Sequence, residues 1–345
     1  MASKAPTAKA KAWILFDRIV ALAAPGGQHS NPWVLEAGVL RYEPDFATLS
    51  QLLGVPLFLK ANTQSGVPAL AMDVWLSYEL RRAGFGRDQV WPRPVNPRIL
   101  PAPVAALLDA LPADLAKQVQ KRMEAKTAIK GATSSAASIL GKNYLKQVDV
   151  IMTDWATGPE LLISTKRMDS SYGKNAPNRV EESYGDAKNL RLRHPLAALG
   201  FMFGLRSDIL TKEVLTAEWL FDLLAKLGQE DDAYHATGLV LMEYGGEAAK
   251  DDSGEDESSG LPEPGPEPED EDAAPVLLPV SEVDQAIAQL PKVTIRSDAT
   301  PPELAPGRFM ATMITKVLGA TPVNMHKEAR QRRASPQRAT SSSQV

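Results

Sequence analysis

A chain of 345 residues, 44% hydrophobic and 23% charged, is long enough to bury one large core or two ordinary ones. It has no cysteine and four scattered histidines, which excludes disulfide scaffolds, thiol nucleophiles, iron–sulfur clusters and Cys-ligated zinc and argues against a His-built metal centre. The net charge of −4 hides an asymmetry: residues 247–272 hold twelve acids against one base, so that segment sums to −11 and the rest of the chain to +7.

The first residues imitate a secretory signal, with Lys4, Lys9 and Lys11 ahead of Ala12-Trp13-Ile14-Leu15-Phe16. Asp17 and Arg18 interrupt the apolar run, so the pattern is that of an amphipathic helix behind a flexible tail, residues 1–11. No run reaches the roughly 18 apolar residues of a membrane span. The chain therefore reads as soluble and cytoplasmic, with no membrane partner. Helical periodicity recurs near 13–24, 46–53, 69–83 and 113–126, which predicts a helical N-terminal region over 12–130 with loops at 25–27 and 92–103. In the second loop Arg93 and Arg98 lie close to Trp91 on a proline-stiffened backbone. Two readings stand side by side: guanidinium groups offered to a nucleic acid, or a tryptophan pinning the loop to the core while the arginines face water.

After a Ser/Ala-rich helix predicted over 133–146, the period changes to two. Residues 148–153 read as a strand, 155–158 as a turn and 160–166 as a second strand, a hairpin with a five- or six-residue connection. A polar loop, a helix over 178–192, a strand over 199–205, a helix over 211–228 and a strand over 237–243 follow. The prediction is an α/β fold, a mixed sheet flanked by helices over 131–245, completed by helices near 281–290 and 302–318 within 276–320. The acidic stretch 246–275 should be disordered, either a solvated spacer or a strip competing with nucleic acid for the basic body. Residues 321–345, with Arg330, Arg332, Arg333 and Arg338, read as a mobile, basic, anion-binding arm.

The chemistry concentrates in the hairpin. Asp149 sits among strand apolars and Lys166 ends the second strand. A carboxylate placed so, facing an ammonium, suits a divalent cation with a lysine orienting or deprotonating a bound water. Glu160 shares the alternating face of Ser164 and Lys166 but lies roughly 13 Å from Ser164 at about 3.3 Å per residue, too far for one metal site. Asp154 and Asp186 are weaker candidates. Asp149, Lys166 and the first-turn helix acids Glu181 and Glu182 also have plain readings as a strand-end acid, an edge-strand solubiliser and solvated acids complementing a helix dipole.

This arrangement resembles the PD-(D/E)xK nuclease superfamily, whose core is a hairpin carrying Asp and then (Asp/Glu)-x-Lys. Here Val148 stands where proline usually precedes the aspartate, Ser164 occupies the acidic slot, and 16 residues separate Asp149 from Lys166. One branch, restriction endonucleases that recognise CCGG-containing sites, also carries Ser-x-Lys and takes its second carboxylate from the next helix as Arg-x-x-Glu. In this chain twelve residues follow Lys166 and then come Arg179 and Glu182. The resemblance implies a restriction-endonuclease-like core that hydrolyses DNA phosphodiesters with Mg²⁺. Asp149 and Glu182 would be metal ligands, Lys166 would position the attacking water and Ser164 would support the site. The basic residues Lys174, Arg179, Lys188, Arg191 and Arg193 form a candidate phosphate track on the helix, or else an exposed helix with a basic C-terminus. Partners implied are double-stranded DNA and a second copy of the chain in a homodimer, with no small-molecule substrate. The biology implied is restriction or phage defence. Two alternatives remain: a nuclease-like fold that only binds DNA within a defence or phage-encoded assembly, and an adaptor whose working part is the acidic insert.

Overall fold

The computed structural model describes residues 7–123, 137–246 and 278–338. The predicted disorder of the acidic stretch falls outside the described residues, as do the first residues of the tail at 1–6. The elements in chain order are α1 (Ala8–Ala23), β1 (Trp33–Glu36), β2 (Val39–Tyr42), α2 (Phe46–Phe58), α3 (Val67–Arg82), β3 (Val90–Trp91), α4 (Ala102–Ala110) and α5 (Ala113–Met123). Then come β4 (Ser138–Leu140), β5 (Leu145–Gln147), β6 (Val150–Asp154), β7 (Gly158–Met168), α6 (Tyr172–Arg193), β8 (Ala198–Arg206), α7 (Ile209–Lys212), α8 (Val214–Leu227) and β9 (Ala236–Glu243). The last are α9 (Val280–Ala288), β10 (Thr294–Ile295), α10 (Pro306–Ala320), α11 (Lys327–Ala334) and β11 (Gln337–Arg338).

The expected mixed α/β fold is present: a six-stranded sheet of order β10-β9-β8-β7-β6-β3 flanked by helices, with a helical N-terminus. β6 and β7 pair antiparallel, while β7, β8 and β9 run parallel through the crossovers α6 and α8. The central strands are buried on both faces, which is why residues 198–205 and 236–242 read as near-continuous apolar runs. One face packs against α1, α2, α3 and α10 in a single hydrophobic core, so the first three helices share the sheet's core, while α4 and α5 pack in a small cluster of their own. The other face packs against α6 and α8.

Three local expectations need correction. The predicted helix over 133–146 is, in its described part, the hairpin β4–β5. Asn189 of α6 holds it: the Asn143 amide donates to Asn189 Oδ1 at 2.8 Å, and Asn189 Nδ2 donates to the Tyr144 carbonyl at 3.1 Å. A Cβ on Gly141 would stand 2.1 Å from Asn189 Nδ2, so the hairpin docks only because that residue is glycine. The helical N-terminal region also contains the hairpin β1–β2, which periodicity did not reveal. The C-terminal arm is structured in its described part, 321–338, with 339–345 outside the described residues: α11 buries Ala329, and β11 pairs parallel with β1. Two of its arginines serve the fold. Arg330 donates to the carbonyls of Leu318, Thr321, Pro322 and Met325 at the end of α10, and Arg332 donates to those of His29, Ser30 and Arg82.

Candidate nuclease-like site

The site forms where β6 and β7 part. Their pairing runs from Asp154↔Gly158 to Val150↔Ile163, while β7 continues to Met168 with β8 on its other side. Beyond Val150 the Asp149 side chain takes over from the ladder, its Oδ2 accepting the Thr165 amide at 2.7 Å. Burial pushes the Asp149 carboxyl above its ordinary value; the Thr165 amide and the charges of Lys166 and Lys146 oppose the shift, and Asp186 adds to it.

Alternation along β7 places Leu162, Ser164 and Lys166 on the face covered by α6. There the sequence-derived pair meets: Lys166 Nζ lies 3.8 Å from Glu182 Oε2, and Arg179, one turn earlier, lies 3.5 Å from the same oxygen. Glu181 is exposed on the next position around the helix. Ser164 is buried beside the Tyr234 phenol, which donates to the Ser183 carbonyl at 2.8 Å. The serine therefore sits where β7 meets the segment ahead of β9, which Tyr234 ties to α6.

Glu160 leaves that face. A register shift between Met152 and Thr153 breaks the alternation, and its carboxylate lies 2.9 Å from His326 Nε2, with the Thr157 hydroxyl donating to it at 2.6 Å. Asp154 is spent at the far end of the hairpin, where it accepts the Ala156 amide and the Gln89 amide group.

Sequence reasoning held Asp186 only as a weaker candidate and missed Lys146, Tyr144 and Asp73 around Asp149. Asp186, one turn beyond Glu182, is buried, forms an ion pair with Lys146 at 2.6 Å and accepts the Tyr144 hydroxyl at 3.1 Å. The i,i+4 spacing from Glu182 was the available signal for Asp186; Lys146 and Tyr144 were hidden by the mistaken helix. On the opposite face Asp73 of α3 accepts the Thr165 hydroxyl at 2.6 Å. Burial and the Asp149 charge hold the Asp73 carboxyl well above its ordinary value.

The predicted DNA-contacting residues divide. Arg93 is buried, paired with Asp88 at 2.7 Å and donating to the Pro97 carbonyl. Arg98 makes a two-pronged pair with Asp17 and stacks over Trp13 at 3.9 Å, while Trp91 donates to the Leu100 carbonyl. This loop is pinned to the core, and neither arginine is offered to a ligand. On α6, Lys188 pairs with Asp232 and Arg191 with His235. Lys174 and Arg193 are exposed.

Among the described residues no group of three or more His, Asp or Glu side chains converges into a ready metal cage. Mg²⁺ is commonly held by one or two carboxylates with water and phosphate oxygens completing its shell. Asp149, with one oxygen committed to an amide, and Glu182, paired with Lys166, are hard oxygen donors of the kind such an ion takes. No helix among the described residues is long and apolar enough to cross a membrane. No family model, curated protein or solved structure matches the chain.

Proposed function

We propose that the protein is a Mg²⁺-dependent DNA endonuclease of restriction or phage-defence type, built on a PD-(D/E)xK-like hairpin and acting as a homodimer on double-stranded DNA. The observation that carries this reading is the approach of Glu182 to Lys166 beside Asp149, since that contact joins two elements through a spacing read from sequence alone. Asp149 and Glu182 would hold the cation, which, when bound, would neutralise charge developing on the scissile phosphate. Lys166 donates hydrogen bonds to the attacking water and orients it. Arg179 shares Glu182 with Lys166, so it keeps that carboxylate turned towards the strand and presents its remaining N–H groups to a phosphate. Ser164 supports the site from its place beside Tyr234.

One assay tests the reading: purified protein is incubated with plasmid DNA and either Mg²⁺ or EDTA. Nicking or cleavage with Mg²⁺ that is lost in Asp149→Asn and Lys166→Met supports it, and intact plasmid under both conditions refutes it. A second reading, DNA binding without cleavage, is favoured by the engagement of Lys166 with Glu182 in an ion pair. Retarded but uncut DNA, insensitive to EDTA, would select it.

A further inference from the structure

Two carboxylates, Asp149 at the strand edge and the buried Asp73 of α3, converge on one residue. Thr165 gives its backbone N–H to Asp149 at 2.7 Å and its hydroxyl to Asp73 at 2.6 Å. Burying a carboxylate costs free energy unless its partners compensate. Asp73, only 8% exposed, lies in a helix whose interior could have been wholly apolar.

The location of Thr165 explains what such a bond does. β6 has already left the ladder at Val150, so β8 alone pairs with β7 at this point. The edge of β7 facing Asp149 has no neighbouring strand to set its height. The Asp73–Thr165 bond fixes it from α3. Two residues on, Arg167 donates to the Pro68 carbonyl of the same helix at 3.4 Å, a second tie at the same alternation. α3 can serve as the reference because it packs directly on the sheet: a Cβ on Gly204 of β8 would stand 2.6 Å from Met72 Sδ, next to Asp73 in sequence.

We infer that Asp73 is a positioning residue for the Asp149 carboxylate, acting through Thr165, and that α3 of the N-terminal region is thereby an integral part of the candidate site. The inference rests on the proposed metal-dependent function for its consequence. Asp73 touches neither metal nor substrate; it holds the threonine whose amide holds the ligand. Groups that orient metal ligands in this way typically contribute about ten- to a hundredfold in metal affinity.

The test uses the full chain, with Mn²⁺ as the probe in titration calorimetry and deuterium exchange reporting the Thr165 amide. Thr165→Val keeps the shape and the amide but removes the hydroxyl. It should weaken Mn²⁺ binding about tenfold and speed exchange at that amide, and Asp73→Ala should do the same. Asp73→Asn and Thr165→Ser each keep the bond and should restore both readouts to wild-type values. Wild-type affinity and exchange in Thr165→Val and Asp73→Ala would overturn the inference while leaving the proposed function standing. Asp73→Asn as defective as Asp73→Ala would overturn it too, because charge and not the bond would then be responsible. A wild-type protein that binds no Mn²⁺ would overturn the proposed function itself and the role of Asp73 with it.

Discussion

Lys166 on β7 and Glu182 on α6 stand 3.8 Å apart, Nζ to Oε2, with the glutamate side chain 45% exposed. At that distance and exposure the pair is screened by water and contributes little to folding, about 0–1 kcal/mol. Its value lies in position: it sets an ammonium and a carboxylate side by side at the fork where Asp149 leaves the ladder. If the proposed function holds, activity and stability should therefore separate at this site.

On the proposed reading Glu182→Gln removes a metal ligand and should lower Mg²⁺-dependent DNA cleavage at least as far as loss of a ligand-orienting group does, about ten- to a hundredfold, with a melting temperature near that of the wild type. Glu181→Gln, one position around the helix and exposed, should leave both unchanged. Single-turnover cleavage and calorimetry on the two variants measure the contrast.

Glu79 is fully buried and accepts the Tyr42 hydroxyl, the Asp45 amide and the Arg82 guanidinium, tying α3 to β2 and α2. Arg82→Met leaves that carboxylate without its cation and should cost about 3–5 kcal/mol. The double variant Glu79→Gln/Arg82→Met should be more stable than Arg82→Met alone. Denaturant titrations of the three chains test this.

Stability should fall as pH drops below neutrality through two histidines. Burial and nearby arginines push His29 and His235 down to about 4 from an ordinary 6.5, so each is neutral in the folded protein at pH 7. Between those values the unfolded chain binds more protons, and stability rises with pH. Their contribution is present above about pH 6.5 and is lost towards pH 4. His29→Gln should shrink the difference in melting temperature between pH 7 and pH 5.

Gly141→Ala should undock the hairpin β4–β5, because the new Cβ meets Asn189 at 2.1 Å. Overpacking of this kind costs about 1–3 kcal/mol. Proteolysis should then cut between 138 and 147 faster than in the wild type, whereas Lys142→Ala, exposed at the hairpin tip, should not change the rate.

The C-terminal helix offers a matched pair. Arg330→Ala removes four carbonyl contacts at the end of α10 and should cost about 1.5–3 kcal/mol, the range for hydrogen bonds to charged groups. Arg338→Ala, exposed in β11, should be silent in the same thermal melts.

The arginines mark where sequence reasoning went astray. Composition makes Arg330, Arg332 and Arg333 look like an anion-binding arm, and Arg93 and Arg98 look like a nucleic-acid loop. For Arg98 and Arg332 the deciding partner is far along the chain, Asp17 and the Arg82 carbonyl respectively, while Arg93 is held locally by Asp88. A guanidinium carries no local sign of whether it will meet a phosphate or a helix end. The helix wrongly expected at 133–146 has the same origin, since Asn189, more than forty residues away, holds the hairpin in place.

What the sequence determined by itself is what short-range periodicity encodes. Alternation placed Ser164 and Lys166 on one strand face, the parallel strands announced themselves as apolar runs, and the Lys-to-Arg-x-x-Glu spacing set Glu182 one helical turn beyond Arg179. Tertiary structure alone decided the surroundings of Asp149. Asp73 arrives from α3 across a chain separation that no period spans, and Lys146 meets Asp186 of α6 only because β5 pairs into a hairpin docked on that helix. The bulge that turned Glu160 towards His326 was likewise set by pairing and not by pattern. The physical reason is that a side chain's face follows from its own strand or helix, whereas its partner follows from how separate elements pack.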